Sequence, residues 1–126
     1  MDLFRFMIVN KSWWDTVDFI ASNSVGREME RIGNWRPIME EWLTSGNIWL
    51  QRTTLIFQLK YRNRVDKDWL HYAISNLRVD NEFFIQKAIG WALRQHARVD
   101  PDWVLAEVEQ QGLVGLARRE VLKHLK

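Results

Sequence analysis

Cationic and aromatic side chains recur at helical spacing on three stretches of this sequence. Within each stretch the spacings are 3 or 4 residues, so the members lie on one face of a helix. The three sets are Lys11, Trp14 and Asp18; Lys87, Trp91, Arg94 and Arg98; and Arg119, Lys123 and Lys126. Cations aligned on neighbouring helices form a groove that suits a phosphate backbone. The spacing therefore predicts a DNA-binding groove, although any one set is also typical of a solvated helix face.

Aromatic residues along the chain also follow a long period. Trp35, Trp69 and Trp103 are each 34 residues apart, and Trp14, Trp49 and Phe84 are each 35 apart. The segments around them are also alike, since DKDWL at 66–70 resembles DPDWV at 100–104. Two series with nearly one period indicate a structural repeat. The register of this repeat places Arg52 level with Lys87 and adds a cation to the groove.

Each repeat reads as a pair of helices, which predicts an all-α, HEAT-like helical-repeat solenoid. We expect first helices to follow the cap-like residues Ser12, Asn47 and Asn81, and second helices to begin near Pro37, Asp66 and Asp100. No segment alternates in the manner of a strand. The core should include Trp13, Trp42, Trp49, Trp69 and Phe84. The predicted helices span 12–22, 36–44, 47–61, 66–77, 82–98, 101–111 and 115–125.

Composition narrows the class of protein further. A chain of 126 residues, 47% of them hydrophobic, suits one domain over residues 1–126. With no cysteine and three scattered histidines, we expect no metal. No segment has the length of a signal-peptide core or a membrane span, so a cytoplasmic protein is expected. Residues 47–126 carry 13 basic and 9 acidic side chains, so a polyanion would meet this part first.

Four longer segments resemble the AlkD-like DNA glycosylases of the DNA alkylation repair family. They are KSWWDTVDFIAS at 11–22, NIWLQRTTLIFQLKYR at 47–62, EFFIQKAIGWALRQHAR at 82–98 and LARREVLKHL at 116–125. The resemblance covers nearly the whole chain. It implies an enzyme that excises N3- and N7-alkylated purines from duplex DNA without metal or cofactor. It also implies catalytic roles for Trp14, Asp18, Arg52 and Trp91, all of which match the family's motifs.

These residue types suit the implied chemistry. A positively charged alkylpurine is already a good leaving group, so the protein must mainly stabilise the sugar as it becomes oxocarbenium-like. Asp18 is the candidate for that task, or for orienting the attacking water. Trp14 and Trp91 would attract a cationic centre through their ring faces, and Arg52 would hold a phosphate. Without the motif, Asp18 would read as a solvated helix charge and Arg52 as a surface arginine paired with an acid.

One departure from the resembling family concerns length. The family's N-terminal half, several helices before the segment at 11–22, has no counterpart here, so we expect the chain to correspond to the C-terminal catalytic part of a longer architecture. The apolar run from Leu3 to Val9 would then lack a partner, which predicts self-association through that end. Two other functions stay open, a DNA-binding module without catalysis and a HEAT-like protein-interaction scaffold.

Overall fold

The computed structural model describes residues 20–123, with side chains from residue 23 onward. Seven α-helices occupy this part of the chain, and no strand occurs in it. A π-helical segment, Ile20–Val25, leads directly into the first of them, and a short 3-10 helix, Arg62–Arg64, precedes the fourth. The α-helices are α1 (Gly26–Ile32), α2 (Arg36–Leu43), α3 (Ile48–Ile56), α4 (Lys67–Leu77), α5 (Phe83–His96), α6 (Pro101–Gln110) and α7 (Gly115–Leu122).

Side-chain caps start three of these helices where the sequence predicts them. The Asn47 side chain accepts hydrogen bonds from the backbone N–H groups of Trp49 and Leu50. Asp66 and Asp100 do the same for the N–H groups three residues ahead, at the starts of α4 and α6. Each cap satisfies amide groups that have no partner within the helix. These three caps therefore fix where α3, α4 and α6 begin.

The prediction of a fourth helix cap within the described residues, at Asn81, is wrong. Helix α5 begins at Phe83, and the residue before it, Glu82, makes no side-chain cap hydrogen bond. Instead Asp80 Oδ1 accepts a hydrogen bond of 2.9 Å from the Glu82 N–H. The turn before α5 is thus organised by an aspartate that the cap pattern did not single out.

Helix boundaries agree with the sequence predictions for most elements, with two differences. The helix expected over 47–61 ends at Ile56, after which the chain turns toward the 3-10 segment. Helix α1 was not predicted, because GREMERI carries few apolar residues to mark a buried face. Of the helix expected over 12–22, only the last three residues lie within the described part, where they begin the π-helical segment.

The aromatic period corresponds to real stacking between successive repeats. The Trp35 and Trp69 rings meet edge to face with centroids 5.5 Å apart, and the Trp49 and Phe84 rings are 5.0 Å apart. Such pairs prefer these offset geometries and contribute about 0.5–1.5 kcal/mol beyond burial. Because residues one period apart touch, the period is the spacing of layers in an all-α helical repeat. Trp42 and Trp69 are fully buried, and the Trp69 indole N–H donates to the Thr54 carbonyl.

Helix α5 lies between α3 and α7 and packs against both. Helices α4 and α6 are joined to each other by polar contacts. His71 Nδ1 on α4 is 2.7 Å from Glu107 Oε2 on α6. At the starts of the same two helices, Lys67 Nζ is 3.1 Å from Asp100 Oδ2. The first helices of the repeats therefore form one row and the second helices another. Within residues 20–123, no helix is both long and apolar enough to cross a membrane.

Candidate nucleic-acid interface

A cavity of about 530 Å³ opens where α3, α5 and α7 meet, and we call it the site cavity. It contains three of the side chains that the sequence predicts for a phosphate groove, together with one of the aromatic residues among them. Its lining residues are Arg52, Phe83, Phe84, Lys87, Trp91, Arg94 and Glu120.

Arg52 is the most deeply placed cation of this cavity. It projects from α3, and only 2% of its surface is exposed. One guanidinium nitrogen, Nη1, donates to the Phe84 carbonyl oxygen, and the guanidinium carbon lies 5.9 Å from the Phe84 ring centroid and 5.8 Å from that of Trp91. An arginine does not lose its proton in a protein. A permanent positive charge is therefore held between aromatic rings, which overturns the alternative of a surface arginine.

Lys87 and Arg94 stand nearer to solvent, one on each side of Glu120. Lys87 Nζ is 2.6 Å from Glu120 Oε1, and Arg94 Nη1 is 3.9 Å from Oε2. The Glu120 side chain is 10% exposed, whereas about half of the Lys87 side chain is in contact with solvent. The two cations that the sequence predicted as phosphate ligands thus share one carboxylate of the protein itself.

The charge on Glu120 is favoured by its surroundings. The hydrogen bond from Lys87 is the largest influence and lowers the pKa of this carboxyl, helped by the charges of Lys87, Lys123 and Arg94. Burial opposes them but does not reverse the direction. Glu120 is therefore ionised at neutral pH. The sequence did not indicate this role for Glu120, because an acid among the cations of α7 looks like an ordinary helix charge.

Gly90 explains how Glu120 comes to lie over α5. This glycine is buried in the middle of α5, where glycine costs about 1 kcal/mol relative to alanine. A Cβ atom at this position would overlap the Glu120 Cβ and would lie 3.1 Å from the Ala117 carbonyl oxygen. The missing side chain lets α5 and α7 approach closely. Gly90 in its helical segment is the one signal in the sequence that could have indicated a partner here.

Phe84 belongs to the site as well as to the packing. It was expected in the core, yet it is only partly buried and faces the cavity beside the more exposed Phe83. Trp49, which was expected in the core too, is partly buried and packs against Phe84 from the neighbouring layer. The aromatic wall of the cavity is therefore an extension of the repeat's own stacking.

The other predicted site residues are not gathered in this cavity. Arg98 lies beyond the end of α5, where the chain has turned, and it lines a different cavity. Arg119 on α7 and Lys123 at its C-cap are exposed and do not line the site cavity. Lys11, Trp14 and Asp18 lie outside the described residues. Among the residues that are described, no cluster of three or more His, Asp or Glu side chains could hold a metal ion.

The fold and the cavity define an all-α helical-repeat protein with a cationic, aromatic recess between equivalent helices of successive repeats. The sequence matches the DNA alkylation repair enzyme family over residues 1–125, and the chain belongs to that family.

Structural comparison agrees with this assignment. A solved structure, that of a predicted DNA alkylation repair enzyme from Enterococcus faecalis, is 34% identical in sequence and superposes with a TM-score of 0.89. The match covers 98% of the present chain and 58% of that protein, so this chain spans little more than half of its relative's length. No curated protein matches the sequence significantly.

Proposed function

We propose that this chain is a monofunctional DNA glycosylase that hydrolyses the N-glycosidic bond of positively charged N3- and N7-alkylated purines in duplex DNA. Membership of the DNA alkylation repair enzyme family supports the general class. The observation that carries the proposal further is the buried Arg52 guanidinium beside the Trp91 ring in a cavity open to solvent through Lys87 and Arg94. Positive charge at a recess of this size suits a phosphodiester and its sugar.

The charge of the cavity favours one placement of the substrate. Three cations and one carboxylate line it, so its interior disfavours a cationic base. A backbone phosphate is attracted by the same charges. We therefore propose that the sugar-phosphate backbone, and not the alkylated base, occupies the recess, with Arg52 on the phosphate and Trp91 against the deoxyribose. The base would then leave without entering a closed pocket, unlike the usual glycosylase arrangement.

Asp18 is the proposed catalytic carboxylate, with Trp14 four residues before it in the sequence. Because the leaving base carries the positive charge, no general acid is required. A fixed carboxylate near the sugar stabilises the developing oxocarbenium electrostatically. Phosphates along the duplex would be contacted by Lys11, Arg94, Arg119 and Lys123. Lys87 would also contact a phosphate once it releases Glu120.

The decisive experiment measures release of free 7-methylguanine from methylated duplex DNA. The Asp18→Asn variant keeps the side chain's size but removes its charge, so excision should fall roughly 100- to 1000-fold while duplex binding is retained. Asp15→Asn, which neutralises a neighbouring aspartate, is the matched control and should excise at the parental rate. Parental activity in the Asp18→Asn variant would overturn the mechanism.

The cations of the site cavity also fit a second function, the binding of duplex DNA without catalysis. A DNA-binding module without catalysis would bind duplexes in a salt-dependent manner and release no base. A protein-interaction scaffold would do neither. Self-association through residues 3–9 also remains a prediction, which sedimentation at increasing concentration would test.

A further inference from the structure

A second cavity, of about 540 Å³, lies on a different face of α5 from the site cavity. It is bounded by the C-terminal part of α3, the connection that follows α3 and the last turn of α5. We call it the edge cavity. Among the described residues, none lines both this cavity and the site cavity. Its buried floor includes Leu55, Leu70 and Ala92. A recess of this volume with an apolar floor has the dimensions of a small-molecule site.

Positive charge is concentrated at the mouth of the edge cavity. Its mouth is lined by the exposed side chains of Lys60, Arg62 and Arg98, whereas no Asp or Glu side chain of residues 23–123 lines it. Within the described residues, none of the three forms an ion pair; Lys60 donates instead to the neutral Asn23 amide oxygen at 2.7 Å. Three uncompensated cations around one opening repel each other and attract an anion. An anionic ligand would supply the counter-charge that the described part of the chain does not provide here.

His96 is the second, independent feature of this cavity. It lines the edge cavity and is only 5% exposed, yet neither of its ring nitrogens has a hydrogen-bond partner within the described residues. Its ring lies edge to face against Trp103, with centroids 5.6 Å apart. Buried polar groups in native proteins are nearly always hydrogen-bonded. Both nitrogens are shielded from solvent in this conformation. A ligand in the cavity would therefore satisfy the unpartnered imidazole once the His96 ring turns toward it.

The protonation state of His96 defines what it offers. Burial lowers the pKa of this imidazole, the charge of Lys67 lowers it further, and Asp100 opposes them. At neutral pH the ring is therefore uncharged, with one donor and one acceptor nitrogen. The neighbouring Gln95 amide also lines the cavity, and its side chain makes no hydrogen bond within the described residues. Together they present both donors and acceptors, which matches the edge of a nucleobase.

We propose that the edge cavity binds a nucleotide with a terminal phosphate, with the phosphate at Lys60, Arg62 and Arg98. The base lies on the apolar floor and hydrogen-bonds to His96 and Gln95. The same chemistry is found in a free nucleoside monophosphate and in a 5′-phosphorylated DNA end. The site is separate from the Arg52 recess and does not depend on the glycosylase proposal.

Calorimetric titration of the full chain with GMP, AMP and inorganic phosphate tests the proposal. The nucleotides should bind more tightly than phosphate alone, and their affinity should fall as salt rises. Arg62→Gln should weaken nucleotide binding by about tenfold, the loss of one charge-assisted contact. Arg78→Gln removes the same charge from an exposed position outside this cavity and should bind as the parent does. Absence of nucleotide binding at millimolar concentration, or equal loss in both variants, would overturn the proposal.

His96→Phe separates base recognition from phosphate attraction. Phenylalanine keeps a ring against Trp103 but removes both nitrogens, so nucleotide affinity should fall about tenfold while phosphate affinity is unchanged. If His96→Phe unfolds, Gln95→Ala, which alters a partly exposed side chain, makes the same distinction. Unchanged nucleotide affinity in either folded variant would contradict base recognition.

Two further titrations identify the source of the nucleotide and the independence of the site. A short duplex with a 5′-phosphate should displace GMP and a 5′-hydroxyl duplex should not, if DNA ends are the ligand; displacement by neither assigns the site to free nucleotides. Arg52→Met should bind GMP normally. Loss of GMP binding in Arg52→Met would show that the two cavities are one site and would overturn the proposal, whatever the outcome of the excision assay.

Discussion

The two cavities beside α5 differ in whether an acidic side chain pairs with their cations. In the site cavity, Lys87 and Arg94 share the Glu120 carboxylate, and Arg52 is buried against aromatic rings. In the edge cavity, three cations surround the opening without an acid, and a buried histidine lacks a partner within the described residues. An internal counter-ion holds side chains in place before a ligand arrives, whereas its absence leaves that task to the ligand. The contrast indicates a preorganised surface on one side of α5 and a ligand-dependent one on the other.

Among the variants that test this difference, Arg52→Met should have the largest effect. Methionine retains much of the side chain's length but removes the charge and the hydrogen bond to the Phe84 carbonyl. Excision of 7-methylguanine should fall by about two orders of magnitude, the usual loss for one preorganised electrostatic group. Arg78→Met, at an exposed position, is the control and should leave the excision rate unchanged. Equal rates in the two variants would remove Arg52 from the site.

Gly90→Ala tests whether close helix packing positions the counter-ion. Alanine is the better helix former by about 1 kcal/mol, yet its Cβ would overlap Glu120. We expect a net destabilisation of about 1–3 kcal/mol, measured as the free energy of unfolding in urea.

The complementary exchange Gly90→Ala with Glu120→Gly provides the control for that measurement. It removes the overlapping Cβ from α7, so the double variant should be more stable than the sum of the two single losses predicts. Additive losses would show that the Gly90 contact does not set the distance between α5 and α7.

Glu120→Gln removes the internal counter-ion and makes the site cavity resemble the edge cavity in charge. Lys87 and Arg94 become available to phosphates, so duplex affinity at low salt should rise about three- to tenfold. The salt dependence should also steepen by about one unit for each additional phosphate that the protein neutralises. Asp102→Asn neutralises an exposed acid in α6 that lies outside the site cavity, and should change neither quantity. Weaker binding in Glu120→Gln would mean that the carboxylate positions Lys87 for DNA and does not compete with it.

The smallest expected effect is a pH dependence of stability that arises from His96. Its pKa is lowered in the folded protein below the ordinary value of 6.5. The unfolded chain therefore binds a proton first, and stability that is present above about pH 6.5 is lost as the pH falls through the folded-state pKa. Glu120 contributes a separate loss below its ordinary value of 4.5, since its pKa is also lowered.

Urea unfolding between pH 7.5 and 5 isolates the contribution of His96. The parent should lose stability over this range, and His96→Phe should lose less, because the variant has no imidazole to protonate. His124→Phe changes a histidine elsewhere in the chain and should keep the parental slope. Identical slopes in all three proteins would place the titrating group elsewhere.

Much of the fold could be predicted from the sequence, because the sequence signals for it are local. The caps at Asn47, Asp66 and Asp100 depend on a side chain meeting amides two or three residues away. The aromatic period identified the repeat because equivalent positions in successive layers stack. Helix α1 and the early end of α3 escaped prediction, since neither is marked by a strong apolar pattern or a breaker residue.

Only part of the candidate site could be predicted from the sequence, because helical spacing is also a local signal. Helical spacing placed Lys87, Trp91 and Arg94 on one face correctly, and all three line the site cavity. The same spacing included Arg98, but α5 ends at His96 and the chain turns, so Arg98 reaches the edge cavity instead. A helical pattern predicts a common face only as long as the helix continues.

The sequence by itself determined the all-α repeat, the start of three helices and the rows of cations, since each follows from contacts within a turn or from a regular period. Only the tertiary structure decided that Arg52 is buried against Trp91, that Glu120 neutralises part of the groove and that Gly90 permits the contact. These facts join residues about 30 or more positions apart. Their environment depends on how closely neighbouring helices approach, which spacing along one helix does not encode.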